Sequence, residues 1–418
     1  MLKKILIIII TVGLIVAGIF LFTYKPQKGS LEGDNVVVND FFPSGDGTSS
    51  NQNTGGSGTS NSNGENPTNS FNSSRPRLNQ ISKNPVSGFT VSSTKTQDFV
   101  RFVDKGTGHI FETPTDSVSP TRISNTTIPK IQESVWVENG SGVILRYLKD
   151  DGQTIESFYA KLKNATSTNS DDGAVSQDLE GTFLPQNILN LVVSPQQTKV
   201  FYTTNTDLGS IGTESNPDGT KRNELHSSPL KEWSIAWPTT NTISFSTKPS
   251  FVEKGFLYFL NKSNLKFDKI LSASALTTLV SPDANTVLYS EGLGGFTSTS
   301  LFIVKTKESV PFGVQTLPEK CVWSKTELNI IYCAVPKSGL FGNLPDDWYQ
   351  GKISFSDELW KVDIENNSNT LVSDLVNQAR QEMDITNLDL TPTEDYLHFV
   401  NKKDGSLWGL RINTSVEN

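Results

Sequence analysis

Four carboxylates in the last fifth of this 418-residue chain could supply acid and base chemistry. They are Asp346, Asp347, Glu382 and Asp384. Paired carboxylates perform this chemistry in glycosidases, where one protonates the leaving group and the other activates water or attacks. The surrounding sequence, however, reads as a polar loop and a solvated helix. An enzyme acting on cell-surface carbohydrate or peptide is therefore kept as the alternative function.

Other catalytic and metal chemistry lacks suitable residues in this sequence. His109, His226 and His398 fall in separate predicted repeats, so a serine or cysteine nucleophile has no plausible base. Two cysteines and three well-spread histidines are too few for a structural zinc site. The glycine-rich stretch at 292–295 does not join a strand to a helix, as a phosphate-binding loop does. We expect no catalytic residue, no metal site and no cofactor.

Two aromatic residues beside these carboxylates are candidate ligand anchors. Trp348 and Tyr349 lie in a long insertion, residues 338–357, between two predicted strands. Long loops on a rigid scaffold are a usual place for binding. The alternative is that the aromatic residues only fix the insertion to the scaffold, which suits Phe341 and Phe355 better. The predicted ligand-binding residues are Trp348, Tyr349, Asp346 and Asp347.

The only two cysteines, Cys321 and Cys333, flank a predicted hairpin turn around Glu327. Equal spacing about the turn places them opposite each other on adjacent strands, where their Cβ atoms can be close enough for a disulfide. We predict that they pair, because the compartment predicted below is oxidising. Two buried free thiols are the alternative.

The scaffold is indicated by a phrase repeated along the chain. Each copy is an apolar run, a polar turn that often contains Ser-Pro, and an alternating run that ends on an aromatic residue, which is the pattern of a β-hairpin with one buried face. The copies span residues 89–102, 135–147, 193–202, 237–245, 280–289, 323–332 and 390–399. Repeated hairpins bury their faces against their neighbours, most simply in a ring.

A third strand follows several hairpins. Residues 157–162, 300–305, 358–363 and 406–411 share one alternating design, and a turn and a fourth strand are expected after most of them. The sequence therefore predicts an all-β fold, a seven-bladed β-propeller of four-stranded antiparallel blades. Six or eight blades are the alternatives.

Three short phrases resemble a known group of propellers. The hairpin SPDANTVLY at 281–289 and the strands ELWKVD at 358–363 and SLWGLR at 406–411 are similar to the WD-like repeats of TolB-type propellers and of propeller domains in some prolyl peptidases. The resemblance implies the fold and not a function. The chain departs from the peptidases because it has no G-x-S-x-G nucleophile motif.

The last predicted blade lacks its fourth strand, because only six residues follow Ile412. Residues 76–82 lie before the first blade and resemble 120–124, which occupy a fourth-strand position. We predict that residues 78–82 complete the last blade and close the ring, which removes an exposed sheet edge.

The N-terminal part has two further predicted regions. Lys3 and Lys4 precede an apolar run at 5–22 that is long enough to cross a bilayer as a helix. We predict a transmembrane anchor at 1–25 with a cytoplasmic N-terminus, a disordered Gly/Ser/Asn-rich linker at 26–75, and an extracytoplasmic propeller at 76–418. A cleaved signal peptide is the alternative.

The formal net charge of −8 gives no electrostatic basis for binding nucleic acid. Besides the membrane, the expected partner is a protein or glycan at the face that carries the 338–357 insertion. The sequence thus predicts a membrane-anchored, non-catalytic binding or scaffolding module.

Overall fold

The computed structural model describes residues 77–93, 97–162, 179–293 and 295–413. Their strands form seven separate sheets, each of four antiparallel strands. The predicted seven-bladed β-propeller is confirmed. Within six blades the strands follow chain order, so each blade is a simple meander whose first strand, here strand a, is followed by strands b, c and d.

The strand bounds, blade by blade, are as follows. Blade 1 contains β2 (Val86–Ser93), β3 (Asp98–Asp104), β4 (Ile110–Pro114) and β5 (Thr121–Arg122), and blade 2 contains β6 (Glu133–Val137), β7 (Gly142–Leu148), β8 (Ile155–Lys161) and β9 (Glu180–Phe183). Blade 3 contains β10 (Ile188–Val193), β11 (Val200–Thr206), β12 (Gly209–Ser215) and β13 (Asn223–Ser228), and blade 4 contains β14 (Trp233–Thr239), β15 (Thr242–Thr247), β16 (Lys254–Asn261) and β17 (Phe267–Ser274). Blade 5 contains β18 (Thr277–Val280), β19 (Thr286–Leu293), β20 (Phe296–Ile303) and β21 (Glu308–Pro311), and blade 6 contains β22 (Cys321–Trp323), β23 (Ile330–Pro336), β24 (Asp357–Asp363) and β25 (Ser368–Asp374).

Blade 7 is assembled from both ends of the described chain. Its strands a to c are β26 (Ile385–Leu390), β27 (Tyr396–Asn401) and β28 (Leu407–Arg411), and its strand d is β1 (Leu78–Ser82). The pairing is antiparallel, with Leu78 opposite Leu410. The predicted closing strand is therefore confirmed at the predicted residues.

The core consists of seven apolar clusters, one at each junction between neighbouring blades. The cluster between blades 6 and 7, for example, contains Tyr332, Leu359, Leu397 and Trp408. The junction between blades 7 and 1 buries Leu407 of β28 together with Ile81 of β1 and Val100 of β3. Because the remaining five junctions are also filled, the ring is closed by packing as well as by strand pairing.

The repeated Ser-Pro phrase has a local hydrogen-bonding role. The hydroxyl oxygen of Ser281 accepts the backbone N–H of Thr286 at 3.0 Å, and Ser194 and Thr391 accept in the same way from residues five positions later. Three residues after each hydroxyl the backbone has positive φ, as at Ala284 with φ 58°. The hydroxyl thus stabilises a tight turn between strands a and b.

Alternation of strand direction gives the ring two different faces. The a–b and c–d connections, including the turn that begins at Ser281, lie on one face, which we call the turn face. The b–c and d–a connections lie on the other, the loop face. The loop face carries the long connection between β23 and β24, which contains α1 (Asp346–Tyr349), and the connection with α2 (Leu375–Ala379).

Two expectations about helices have different outcomes. The solvated helix expected beside Glu382 and Asp384 is limited to α2 (Leu375–Ala379), because Arg380 adopts a left-handed conformation and ends it. The transmembrane anchor at 1–25 and the linker at 26–75 lie outside the described residues. Within the residues that are described, no helix is long and apolar enough to span a bilayer. Two short 3-10 helices, Glu138–Gly140 and Pro318–Lys320, complete the secondary structure of the described ranges.

Candidate functional site

The candidate site lies on the loop face, where the 337–356 connection folds over the ring. Its four predicted binding residues form one turn of helix, α1, which follows Pro345. The helix is too short to be stable alone, so its position depends on tertiary contacts.

Trp348 is buried, with only 3 % of its surface exposed. It packs with Leu317, Leu344 and Phe355 in a small cluster of its own, separate from the clusters between blades. Its indole Nε1 donates to both carboxylate oxygens of Asp384 at 3.0 Å. In this conformation Trp348 fixes the insertion to the ring, which is the alternative raised above for its aromatic residues, and its indole ring faces the protein interior.

Lys320, Asp357 and Asp384 form a fully buried ionic cluster below Trp348. Lys320 Nζ lies 2.5 Å from Asp384 Oδ1 and 2.8 Å from Asp357 Oδ2, and none of the three side chains is exposed. Nζ also donates to the carbonyl of Ile385 at 3.0 Å. One cation therefore joins the end of the 3-10 helix before β22, the start of β24 and the connection into β26. Buried charges persist only when they are paired in this way.

The two carboxylates of this cluster differ in their environment. Burial raises the pKa of Asp357 to about 6, although the Lys320 charge acts in the opposite direction. Burial alone would raise the pKa of Asp384 as well, but the Lys320 charge and several hydrogen bonds hold it below its usual value. Those bonds include the Phe355 backbone N–H at 3.1 Å and the Trp348 indole N–H at 3.0 Å.

The remaining predicted residues of α1 are also engaged within the protein. Asp346 Oδ2 accepts the backbone N–H of Phe251 at 2.7 Å, and Asp347 Oδ2 accepts that of Asn343 at 2.9 Å. Tyr349 is partly exposed, but its hydroxyl donates to Glu319. Burial of that hydroxyl, with the nearby Glu319 charge, raises the pKa of Tyr349. Neither aspartate is a free acid or base.

These contacts place α1 close to the axis of the ring. Asp346 binds the b–c connection of blade 4, while the carbonyl of Trp348 accepts from Lys402 in the b–c connection of blade 7 at 2.7 Å. Blades 4 and 7 are three positions apart in a ring of seven and lie almost opposite each other. A helix of one turn can reach both only near the centre, so α1 covers the channel mouth on the loop face.

The loop face also carries exposed apolar side chains. The three most exposed large apolar residues among those described are Leu208, Phe296 and Val252, at 91, 82 and 78 %. Leu208 and Val252 lie in the b–c connections of blades 3 and 4, and Phe296 is the first residue of strand c in blade 5, so the three form an arc at the loop face over consecutive blades. Leu230 and Phe341 extend this arc.

The enzyme alternative receives no geometric support from its four carboxylates. Asp384 is buried against Lys320, Asp346 and Asp347 bind backbone N–H groups, and Glu382 pairs with Lys403 across the surface. Each of the four is therefore engaged in a contact within the protein. Among the described residues, no three His, Cys, Asp or Glu side chains are grouped so that they could hold a metal ion.

Cys321 and Cys333 lie directly opposite each other on β22 and β23, as their spacing predicts. The structure joins them in a disulfide with a sulfur–sulfur distance of 2.11 Å. The pair is buried at the junction between blades 5 and 6, beside Leu288 and Trp323.

Sequence reasoning missed two parts of the site. Lys320 and Asp357 carry no local signal, because each is a charged residue at a strand boundary, where solvated side chains are common. The exposed arc did leave a trace in the sequence: Leu208 and Phe296 are large apolar residues directly beside Gly209 and Gly295, at or next to hairpin connections, where polar residues are usual.

Comparisons with known proteins find structural neighbours only. No family model matches the chain, and no curated protein matches it. A tricorn protease structure is 10 % identical, with a TM-score of 0.49 over 80 % of this chain and 34 % of that one. The present chain thus spans about a third of the length of the tricorn protease.

Two further neighbours are themselves β-propellers. An oligogalacturonate lyase in complex with manganese is 10 % identical, with a TM-score of 0.48 over 82 % of this chain and all of that one. TolB from Acinetobacter baumannii is also 10 % identical, with a TM-score of 0.41 over 70 % of this chain and 62 % of that one. Likeness at this level does not bear on activity.

Proposed function

We propose that this propeller is a non-catalytic binding module whose protein partner contacts the arc of exposed apolar residues on the loop face. The observation that supports the proposal is the position of Leu208, Val252 and Phe296, which are the most exposed large apolar residues and belong to three consecutive blades. Burial of such side chains drives most protein association.

The proposal includes an arrangement of the whole chain. Residues 1–25 anchor it in the membrane, residues 26–75 act as a flexible tether, and the propeller acts on the extracytoplasmic side. The rigid ring holds the arc in a fixed geometry, which lowers the conformational entropy lost on binding. In this proposal α1 acts as an internal brace for the loop face and does not contact the partner.

Photo-crosslinking in intact cells tests the proposal with the full-length chain. A photoreactive phenylalanine analogue replaces Leu208, Val252 or Phe296 in turn, and Leu265 on the turn face of blade 4 serves as the control position. We expect one discrete protein adduct from the loop-face positions and none from the control. Equal adducts from both faces, or adducts to lipid or carbohydrate alone, would show that the arc is not a protein-binding surface.

A further inference from the structure

A second candidate surface lies on the other side of the ring, between blades 6 and 7. A groove of about 550 Å³ opens there towards the turn face. One wall comes from blade 6 and includes Tyr332, Lys361 and Thr370, and the other comes from blade 7 and includes Arg77 and Ile412. Its volume is within the range of ligand-binding sites.

The blade 6 wall is a row of side chains that crosses all four strands. Val322 is opposite Tyr332, Tyr332 is opposite Lys361, and Lys361 is opposite Thr370. Residues that are directly opposite in a sheet share one face, and this face packs on blade 7. The row therefore changes from apolar at the channel to polar at the rim.

Blade 5 provides an internal comparison for this row. Its equivalent begins at Leu279, two residues before the turn serine, as Val322 is in blade 6. That row reads Leu279, Leu288, Leu301 and Val310 and is aliphatic throughout. The fold therefore accepts an apolar row at this position, so the Tyr-Lys-Thr sequence of blade 6 is not required for closing the ring.

Lys361 is the one side chain of this row with a full charge, and the described residues place no carboxylate within ion-pair distance of its Nζ. Its Nζ lies 6.0 Å from the centre of the Tyr332 ring. The carboxylate of Glu394, which also lines the groove, already accepts the backbone N–H of Lys325 and Thr326. Glu327 lines the groove too, from the turn before β23. The groove thus contains a cation available to an acidic group.

The groove runs beside a free sheet edge. β25 is the outermost strand of blade 6 and, among the described residues, pairs only with β24. Its Leu371 side chain is 45 % exposed and lines the groove with Thr370 and Val372. An edge strand with unpaired backbone groups can accept an additional strand.

We propose that this groove binds an extended peptide, which adds to β25 as a fifth strand of blade 6 and directs an acidic side chain to Lys361. Main-chain hydrogen bonds to the edge would provide affinity, and the groove would provide specificity. Neighbouring strands lie about 4.8 Å apart, so the peptide backbone would lie at about twice that distance from β24, with β25 between them. Thr370 is small enough for the acidic chain and Lys361 to meet above it.

The test uses the purified full-length chain and two pools of capped nine-residue peptides. Both pools have random flanks, with a central glutamate in one and a central glutamine in the other. Because a charge-assisted hydrogen bond is stronger than a neutral one, we expect retention of the glutamate pool to exceed that of the glutamine pool by about tenfold. Lys361→Met should reduce the ratio to about 1, while Lys269→Met, on the outer strand of blade 4, should leave it unchanged.

A second variant separates binding from folding. Lys361→Leu with Thr370→Val reproduces the outer pair of the blade 5 row and should keep the melting temperature, while the glutamate-to-glutamine retention ratio falls to about 1. A ratio near 1 for the unchanged protein, or a ratio that survives Lys361→Met, would overturn the proposal. This site is separate from the loop face and does not depend on the function proposed there.

Discussion

Replacing Lys320 with methionine removes the only cation of the buried cluster while keeping a side chain of similar length. Asp357 and Asp384 then remain buried without a counter-charge, since both contact Lys320 Nζ and neither is exposed. Breaking a buried ion pair by removing one partner costs about 3–5 kcal/mol of unfolding free energy. We expect Lys320→Met to lose that amount at pH 7.

The cost should depend on pH with a definite sign. Without the cation, burial raises the pKa of both aspartates above their unfolded values. Their stabilising contribution is then largest below the unfolded pKa and is lost as pH rises through the folded pKa. In the unchanged protein Asp384 behaves oppositely, because its pKa is lowered and its contribution is lost as pH falls. The difference between variant and parent should therefore shrink as pH falls from 7 to about 4.5.

Urea unfolding at pH 7 and pH 4.5 measures both effects. Lys352→Met is the matched control, because Lys352 belongs to the same insertion and pairs with Asp347 at 3.4 Å but is 63 % exposed. Exposed pairs contribute about 0–1 kcal/mol. A cost below about 1 kcal/mol for Lys320→Met, or a cost that does not change with pH, would contradict the assigned role of the cluster.

Three further predictions concern the ring itself. Burial lowers the pKa of His398 to about 3, so the folded protein loses stability as pH falls below the unfolded pKa of histidine, near 6.5. This loss is about 2 kcal/mol between pH 7 and pH 5, and His398→Leu should remove it from the unfolding free energies measured by urea titration. Deleting residues 76–84 should lower the melting temperature sharply, because it exposes the edge of β28 and removes buried Leu78 and Ile81; an equal deletion at 50–58 serves as control, and equal melting temperatures would refute closure by β1. The Cys321 to Cys333 disulfide should contribute about 2–3 kcal/mol, and two reactive thiols in the denatured, unreduced protein would exclude it.

The fold was predictable because its signals are local. One short segment contains the Ser281 turn, the positive φ at Ala284 and the alternating strand that follows. The same sequence pattern recurs in other blades. The closing strand was predictable by counting strands. The last blade lacked a fourth strand, and the strand-like residues 78–82 were not assigned to any other blade. Both inferences rest on periods and turn chemistry, which sequence displays directly.

The site was less predictable because its contacts join distant segments. Lys320 and Asp384 are 64 residues apart, and no pattern in either segment indicates that a lysine will be fully buried. Trp348 occurs in a polar insertion, where the sequence favours a position facing a ligand. In the structure its indole N–H is hydrogen-bonded to the buried carboxylate of Asp384. Ion pairs between distant segments determine the structure of the loop face here, and such pairs cannot be recognised from the local pattern of apolar residues.

The closure of blade 7 also sets a delay during synthesis. β1 is made about 330 residues before β28, the strand with which it pairs in blade 7. At about 5–20 residues per second, it waits roughly a quarter of a minute to one minute before it can pair. Blades 1 to 6 can each form as soon as their own four strands exist, so a nascent chain passes through an open arc with both end faces uncovered. Any chain that stops before Leu407 remains in that state, without the residue of β28 that packs in the cluster of Ile81, and should be an early target for aggregation or proteolysis.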